Sequence, residues 1–149
     1  MKVLFLDIDG VVNNTLDPCP TSRAGIRVDP VLVGRVNGIL EATEALVVIS
    51  STWRLEGLMA CKEALYDQGL RKRAIWGCTP TPSEMIRHPK RGDRAAEIEY
   101  WLEDWAYEEV TQYAVLDDMP LIGCPRFVQT DPRKGIQDSD VLKVLAFLE

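Results

Sequence analysis

Met1-Lys2-Val3-Leu4-Phe5-Leu6-Asp7-Ile8-Asp9-Gly10-Val11-Val12 opens the chain, and the fold is decided by how this stretch is read. Val3–Leu6 is a continuous apolar run, not an alternating one. Such a run suits a strand buried on both faces, as in a parallel sheet covered by helices. It ends abruptly at Asp7. Ala45–Ile49 and Ala114–Leu116 have the same character, Ala74–Cys78 has it more weakly, and Phe127–Gln129 fits a short last strand.

Helical patterns lie between these runs. Asp29-Pro30 is a start signal, an N-cap residue followed by proline at the first helical position. Leu32, Val36, Ile39 and Leu40 then share one face. Leu55, Leu58, Met59 and Leu65 form a second stripe, and Ile98, Trp101, Leu102 and Trp105 recur at i, i+3, i+4 and i+7. Val141, Val144, Leu145 and Leu148 repeat that spacing near the C-terminus. Trp101 and Trp105 are therefore expected in the core. Alternation of strand and helix predicts a doubly wound α/β fold with a mainly parallel sheet and helices on both faces. No repeat or linker divides the sequence, so residues 1–149 are expected to form a single domain.

Composition narrows the function. With a net charge of -6, the chain has no general basic surface for gripping nucleic acid, although Arg71–Arg73 and Arg87–Arg94 are local basic clusters. Cys19, Cys61, Cys78 and Cys124 contain no C-x-x-C pair and suggest no zinc site; reduced thiols and a cytoplasmic location are expected. The apolar start meets Asp7 too soon for a signal peptide or a membrane span.

In a doubly wound sheet, ligands bind beyond the carboxyl ends of the strands. The first apolar run ends in Asp7-Ile8-Asp9-Gly10, the second in Ser50-Ser51-Thr52-Trp53-Arg54, and the run from Ala114 in Asp117-Asp118. Each pair alone fits a turn, since Asp and Asp-Gly are common turn residues. Together at the ends of three buried strands they point to one crevice. Four carboxylates converging there would repel one another strongly. A divalent cation relieves that repulsion, and an oxygen-only ligand set suits Mg²⁺.

These residues resemble the motifs of the haloacid dehalogenase-like (HAD) superfamily. Asp7-Ile8-Asp9-Gly10-Val11-Val12 is similar to its motif I, Ser50 to motif II and Asp117-Asp118 to motif IV, in the right order from Met1 to about Asp118. A closer likeness is to the small HAD domain found with Swiss Army Knife RNA repair proteins. Val47–Arg54, Arg94–Ile98 with Trp101-Leu102, and Thr130-Asp131-Pro132 with Gly135 carry it.

The resemblance implies a phosphatase with Asp7 as nucleophile, forming an aspartyl-phosphate. Asp9 would act as general acid and base. Ser50 would hydrogen-bond the transferring phosphoryl group, and Ser51 is a candidate substrate contact. Arg54, just after motif II, reads equally as a contact to substrate phosphate or as a cap on solvent-facing structure. Mg²⁺ would be held by Asp7, the Asp9 main-chain carbonyl, Asp117 and Asp118. The family's motif III cation is usually a lysine before motif IV. Here Arg94 opens that helix and is the candidate, with Lys90 and Arg91 as rivals. Arginine can clamp phosphate bidentately. Trp53 reads as a packing residue or a stacking platform, packing being favoured, and the lone histidine, His88, as a loop residue.

Only Val12–Val28 separates motif I from the first helix, and Gly77–Asp93 is similarly short, so a minimal cap or none is expected. An open site suits a bulky phosphorylated substrate such as a nucleic-acid end. Nucleotides or other small phosphates are the alternative, and a non-catalytic HAD-fold binding module is the competing class. Asp7, Asp9, Ser50 and Asp117-Asp118 together speak against the last.

Overall fold

The computed structural model describes residues 1–106 and 109–149, with the backbone alone for Trp105. Five parallel strands form one sheet in the order β3-β2-β1-β4-β5. They are β1 (Lys2–Leu6), β2 (Leu46–Ile49), β3 (Ile75–Cys78), β4 (Gln112–Asp117) and β5 (Phe127–Gln129). The run that opens the sequence is thus the central strand. Val3, Leu4, Phe5 and Leu6 are all fully buried, each contributing about 1.5–3 kcal/mol through removal from water.

Side-chain alternation along β1 feeds two cores. Leu4 and Leu6 join Val47, Ile49 and the buried faces of α1 (Pro30–Thr43), α2 (Leu58–Asp67) and α4 (Asp138–Leu148). Val3 and Phe5 join Val48, Val115, Ile98 and Trp101 on the opposite face, which α3 (Arg94–Tyr100) covers. The sheet is therefore flanked on both sides, three helices against one. Trp101 begins a π-helical turn, Trp101–Trp105, and is edge-on to Phe5 at 5.4 Å and to Trp76 at 5.5 Å between ring centroids. Its expected core position holds; the Trp105 side chain lies outside the described residues.

Asp29 caps α1 as its sequence predicts, accepting from the Val31 amide with Pro30 at the first position. The second stripe is corrected. Leu55 and Met59 are exposed, because Thr52–Glu56 forms a separate 3₁₀ turn and α2 starts only at Leu58. The face that α2 buries is Cys61, Ala64 and Leu65. No helix among the described residues is long and apolar enough to cross a membrane.

Candidate active site

Parallel register brings the ends of the three central strands together. Leu6 pairs with Ile49 on one side and Leu116 on the other, so Asp7, Ser50 and Asp117 emerge side by side. The Asp7 amide donates to the Leu116 carbonyl at 3.0 Å, and the Ser50 amide to the Leu6 carbonyl at 3.0 Å. Both bonds extend the ladder to the rim of the crevice.

Asp7, Asp117 and Asp118 each present a carboxylate oxygen, all within 4.8 Å of one another. Asp7 and Asp117 are buried. The Arg94 guanidinium enters this group from the first position of α3, with Nη1 2.8 Å from Asp117 Oδ2 and 3.4 Å from Asp7 Oδ2. Of the three basic candidates, Arg94 is the one inside the cluster; Lys90 and Arg91 are exposed. Asp93 caps α3 by accepting from the Ala95 amide, which fixes where Arg94 begins.

Charge balance in this cluster is incomplete. Burial pushes the Asp7 carboxyl up to about 8, the negative charge of Asp117 adds to that, and the Arg94 guanidinium opposes it. Burial also raises Asp118. One arginine against three carboxyls leaves negative charge unmatched, which is the condition a bound cation removes. The candidate ligand atoms are all carboxylate oxygens, so the residues fit a hard divalent ion such as Mg²⁺. Asp7 and Asp118 would hold it most directly, since Asp117 already accepts from Arg94 through Oδ2 and from the Met119 amide through Oδ1 at 2.9 Å. The Ser50 hydroxyl is fully buried and has no hydrogen-bond partner among the described residues. An orphan hydroxyl beside the nucleophile candidate is ready to meet a ligand oxygen.

The raised Asp7 carboxyl has a consequence for stability. Its folded-state value lies above its ordinary 3.8, so the folded protein binds a proton there that the unfolded chain releases. Stability is then fully present below about pH 4 and is lost as pH rises towards 8. Protein freed of divalent ions should weaken between those limits by about 1.4 kcal/mol per pH unit for this one proton. Mg²⁺ should raise the melting temperature at pH 7.5 and not at pH 5, and Asp7→Asn should flatten both dependences. Thermal denaturation across pH, with and without Mg²⁺, checks this; a flat wild-type profile would remove the argument.

Asp9 sits on a turn just beyond the strand end. The chain does not stay extended to Asp9: the Val11 and Val12 amides both turn back to the Ile8 carbonyl, at 3.1 and 2.9 Å. Asp9 is therefore exposed on a turn, while Ile8 enters the core. Its carboxylate accepts from Asn13 Nδ2 and Trp53 Nε1, each at 2.9 Å. Gly10 follows at a φ of +78°, and a Cβ there would lie 2.4 Å from Asp118 Oδ2, so glycine is what lets motif I pass against motif IV.

Ser51 and Arg54 have structural partners. Ser51 Oγ caps the 3₁₀ turn, accepting from the Trp53 amide at 3.2 Å. Arg54 is turned inward, onto partners within the protein. Its side chain is 2% exposed and lies 2.6 Å from Glu97 Oε2, and its other donors reach the carbonyls of Ser51, Thr79 and Pro80. Burial is possible only because every part of the guanidinium has found an acceptor. His88 sits in the loop before α3, edge-on to Tyr100. All four cysteines are unpaired.

Asn13, Thr130 and Gly135 form the support of the site; the sequence marks Thr130 and Gly135 only through the family resemblance and gives Asn13 no role. Asn13 is buried and accepts from the Gly10 amide through Oδ1. Thr130 Oγ1 donates to the Gly10 carbonyl at 2.7 Å, and the Thr130 amide to the Asp117 carbonyl at 3.0 Å, tying motif I to motif IV. Gly135 lets the 130–136 loop press on motif I: a Cβ there would lie 2.9 Å from the Val11 carbonyl. The segment after motif I is a short flap with one antiparallel bridge, Thr21 to Arg27, and builds no folded cap among the described residues.

A central parallel strand ending in Asp-x-Asp-Gly, flanked by a strand ending in serine and one ending in Asp-Asp, is the arrangement of a HAD-type domain. A family model described as the HAD domain in Swiss Army Knife RNA repair proteins matches residues 3–141, and the chain belongs to this family. No curated protein and no solved structure matches it.

Proposed function

We propose that this chain is a Mg²⁺-dependent phosphomonoesterase working through an aspartyl-phosphate on Asp7, within one domain spanning residues 1–149. The observation that carries this reading is the group of Asp7, Asp117 and Asp118 oxygens within 4.8 Å, with the Arg94 guanidinium among them. Bound Mg²⁺ would supply positive charge to Asp7 and to the phosphate.

Asp7 attacks phosphorus through a carboxylate oxygen as the bond to the leaving oxygen breaks. Asp9 gives its proton to that leaving oxygen. It then takes a proton from water as the water attacks the acyl phosphate, releasing inorganic phosphate and restoring Asp7. Arg94 and the Ser50 hydroxyl, which has no partner among the described residues, would donate to the phosphoryl oxygens. Membership of a family described by RNA repair, and the open, capless surroundings of Asp9, favour a phosphorylated nucleic-acid end as substrate over a nucleotide. With a net charge of -6, such a substrate would be held at its end and not along a basic track.

The test is hydrolysis of an aryl phosphate, then of phosphorylated RNA and DNA ends, mononucleotides and phosphopeptides. Mg²⁺ should support turnover, EDTA should abolish it and added Mg²⁺ should restore it. Binding of phosphorylated ends with no turnover of any substrate would favour the non-catalytic module, and full activity after rigorous metal removal would sink the metal requirement.

A further inference from the structure

We infer that Trp53 is the residue that positions Asp9 for proton transfer. The inference rests on the phosphatase reading above and adds a named role within it.

Asp9 is exposed, and an exposed aspartate ordinarily samples several side-chain rotamers. Here both of its oxygens are tied. Asn13 Nδ2 holds Oδ1 at 2.9 Å, from within the same turn. Trp53 Nε1 holds Oδ2 at 2.9 Å from 44 residues away, across the crevice from the end of β2. Asn13 is fixed in its turn by two other bonds, accepting from the Gly10 amide and donating to the Arg27 carbonyl. It would be needed for the turn whatever Asp9 did. The indole N–H has no such second duty: its one hydrogen bond goes to Asp9.

The chemistry of the donor suits the task. An indole N–H donates and cannot accept, and it does not ionise in the working range. It holds the carboxyl group in place whether Asp9 has just lost its proton or just gained one. A carboxylate offers about four lone-pair sites. One N–H on each oxygen leaves the others free for the leaving group or water. The ring itself is wedged, half-buried against the core and close to Gly25 of the flap, where a Cβ would lie 4.0 Å from Cη2. Packing of the indole thus fixes the N–H, and the N–H fixes the acid. Packing alone would be served by phenylalanine.

The experiment compares kcat/KM, which reports the first phosphoryl transfer, for an alkyl phosphate and for p-nitrophenyl phosphate. An alkoxide needs a proton to leave; p-nitrophenolate does not. Losing a general acid–base group costs about 10²–10⁴-fold; losing only its positioning should cost less. Trp53→Phe should reduce kcat/KM for the alkyl phosphate by about 10–100-fold and leave the aryl substrate within about twofold. Replacing Trp53 by its benzothienyl analogue, which keeps the ring shape and lacks the N–H, should do the same. Adding Trp53→Phe to Asp9→Asn should cost little more, because the two act as one unit. In the NMR spectrum, the indole N–H signal that vanishes in Trp53→Phe should move in Asp9→Ala.

Equal losses on both substrates, a benzothienyl variant with wild-type selectivity, additive losses in the double variant, or an indole signal unmoved by Asp9→Ala would each overturn the role. If wild type and Asp9→Asn behave as proposed and Trp53→Phe matches wild type, only the Trp53 inference fails. If wild type hydrolyses neither substrate with Mg²⁺, the phosphatase reading fails and this inference falls with it.

Discussion

Asp7→Asn should abolish turnover, by about 10⁴-fold or more, while leaving the protein folded. Losses of that size follow removal of a nucleophile whose partners cannot act without it. The substitution is close to isosteric, and Asp7 lies at a strand end where the backbone bond to the Leu116 carbonyl is unaffected by the side chain. It also removes a buried acid whose charge the fold disfavours, Asp7 being pushed up to about 8 by burial and Asp117. Metal-free Asp7→Asn should therefore be at least as stable as wild type at pH 7.5, which separates loss of chemistry from loss of fold. Rapid quench with labelled substrate should trap phosphate on wild-type Asp7. Wild-type turnover by Asp7→Asn, with no label ever on the protein, would mean that water attacks phosphorus directly.

Much of the scaffold could be read from the chain because it follows from local pattern. An unbroken apolar run bounded by polar residues has few alternatives to a strand buried on both faces, and Val3–Leu6 became the central one. Asp29-Pro30 marks a helix start for steric and hydrogen-bonding reasons confined to neighbouring residues. Convergence of Asp7, Ser50 and Asp117 needed one further step, that adjacent parallel strands end together. What could not be read depends on side chains distant in sequence. Nothing near Arg54 announces that Glu97 will meet it inside the protein, so a charged residue beside motif II reads as a ligand contact or a solvent-facing cap. The indole bond from Trp53 to Asp9 is hidden in the same way, because apolar periodicity sees only the ring. Leu55 and Met59 failed for a different reason: a 3₁₀ turn before α2 broke the helical phase that the stripe assumes.

Arg54→Met and Glu97→Met should each destabilise the protein by about 3–5 kcal/mol, the usual result of leaving one member of a buried ion pair without its partner. The Arg54 and Glu97 side chains are 2% and 4% exposed, respectively, and meet at 2.6 Å. Burial pushes the Glu97 carboxyl up, and the positive charges of Arg54 and Arg94 oppose that shift. Removing Arg54 leaves this carboxyl without its closest cation and strips donors from the Ser51, Thr79 and Pro80 carbonyls. Arg54→Lys should be nearly as damaging, since an ammonium cannot span a carboxylate and three carbonyls as a planar fork does. Replacing both residues by methionine should recover much of the loss, because apolar groups of similar volume often substitute for a buried pair without penalty. The two single losses would then be strongly non-additive, as expected for residues in direct contact. The pair joins the turn after β2 to α3, the helix that Arg94 opens. Breaking it should therefore also lower turnover in whatever fraction remains folded, by loosening Arg94 relative to Asp7. Urea denaturation of the four variants supplies the test. Single losses below about 1 kcal/mol, the range of exposed pairs, would show that Arg54 and Glu97 are not a buried pair in solution and would return Arg54 to the substrate.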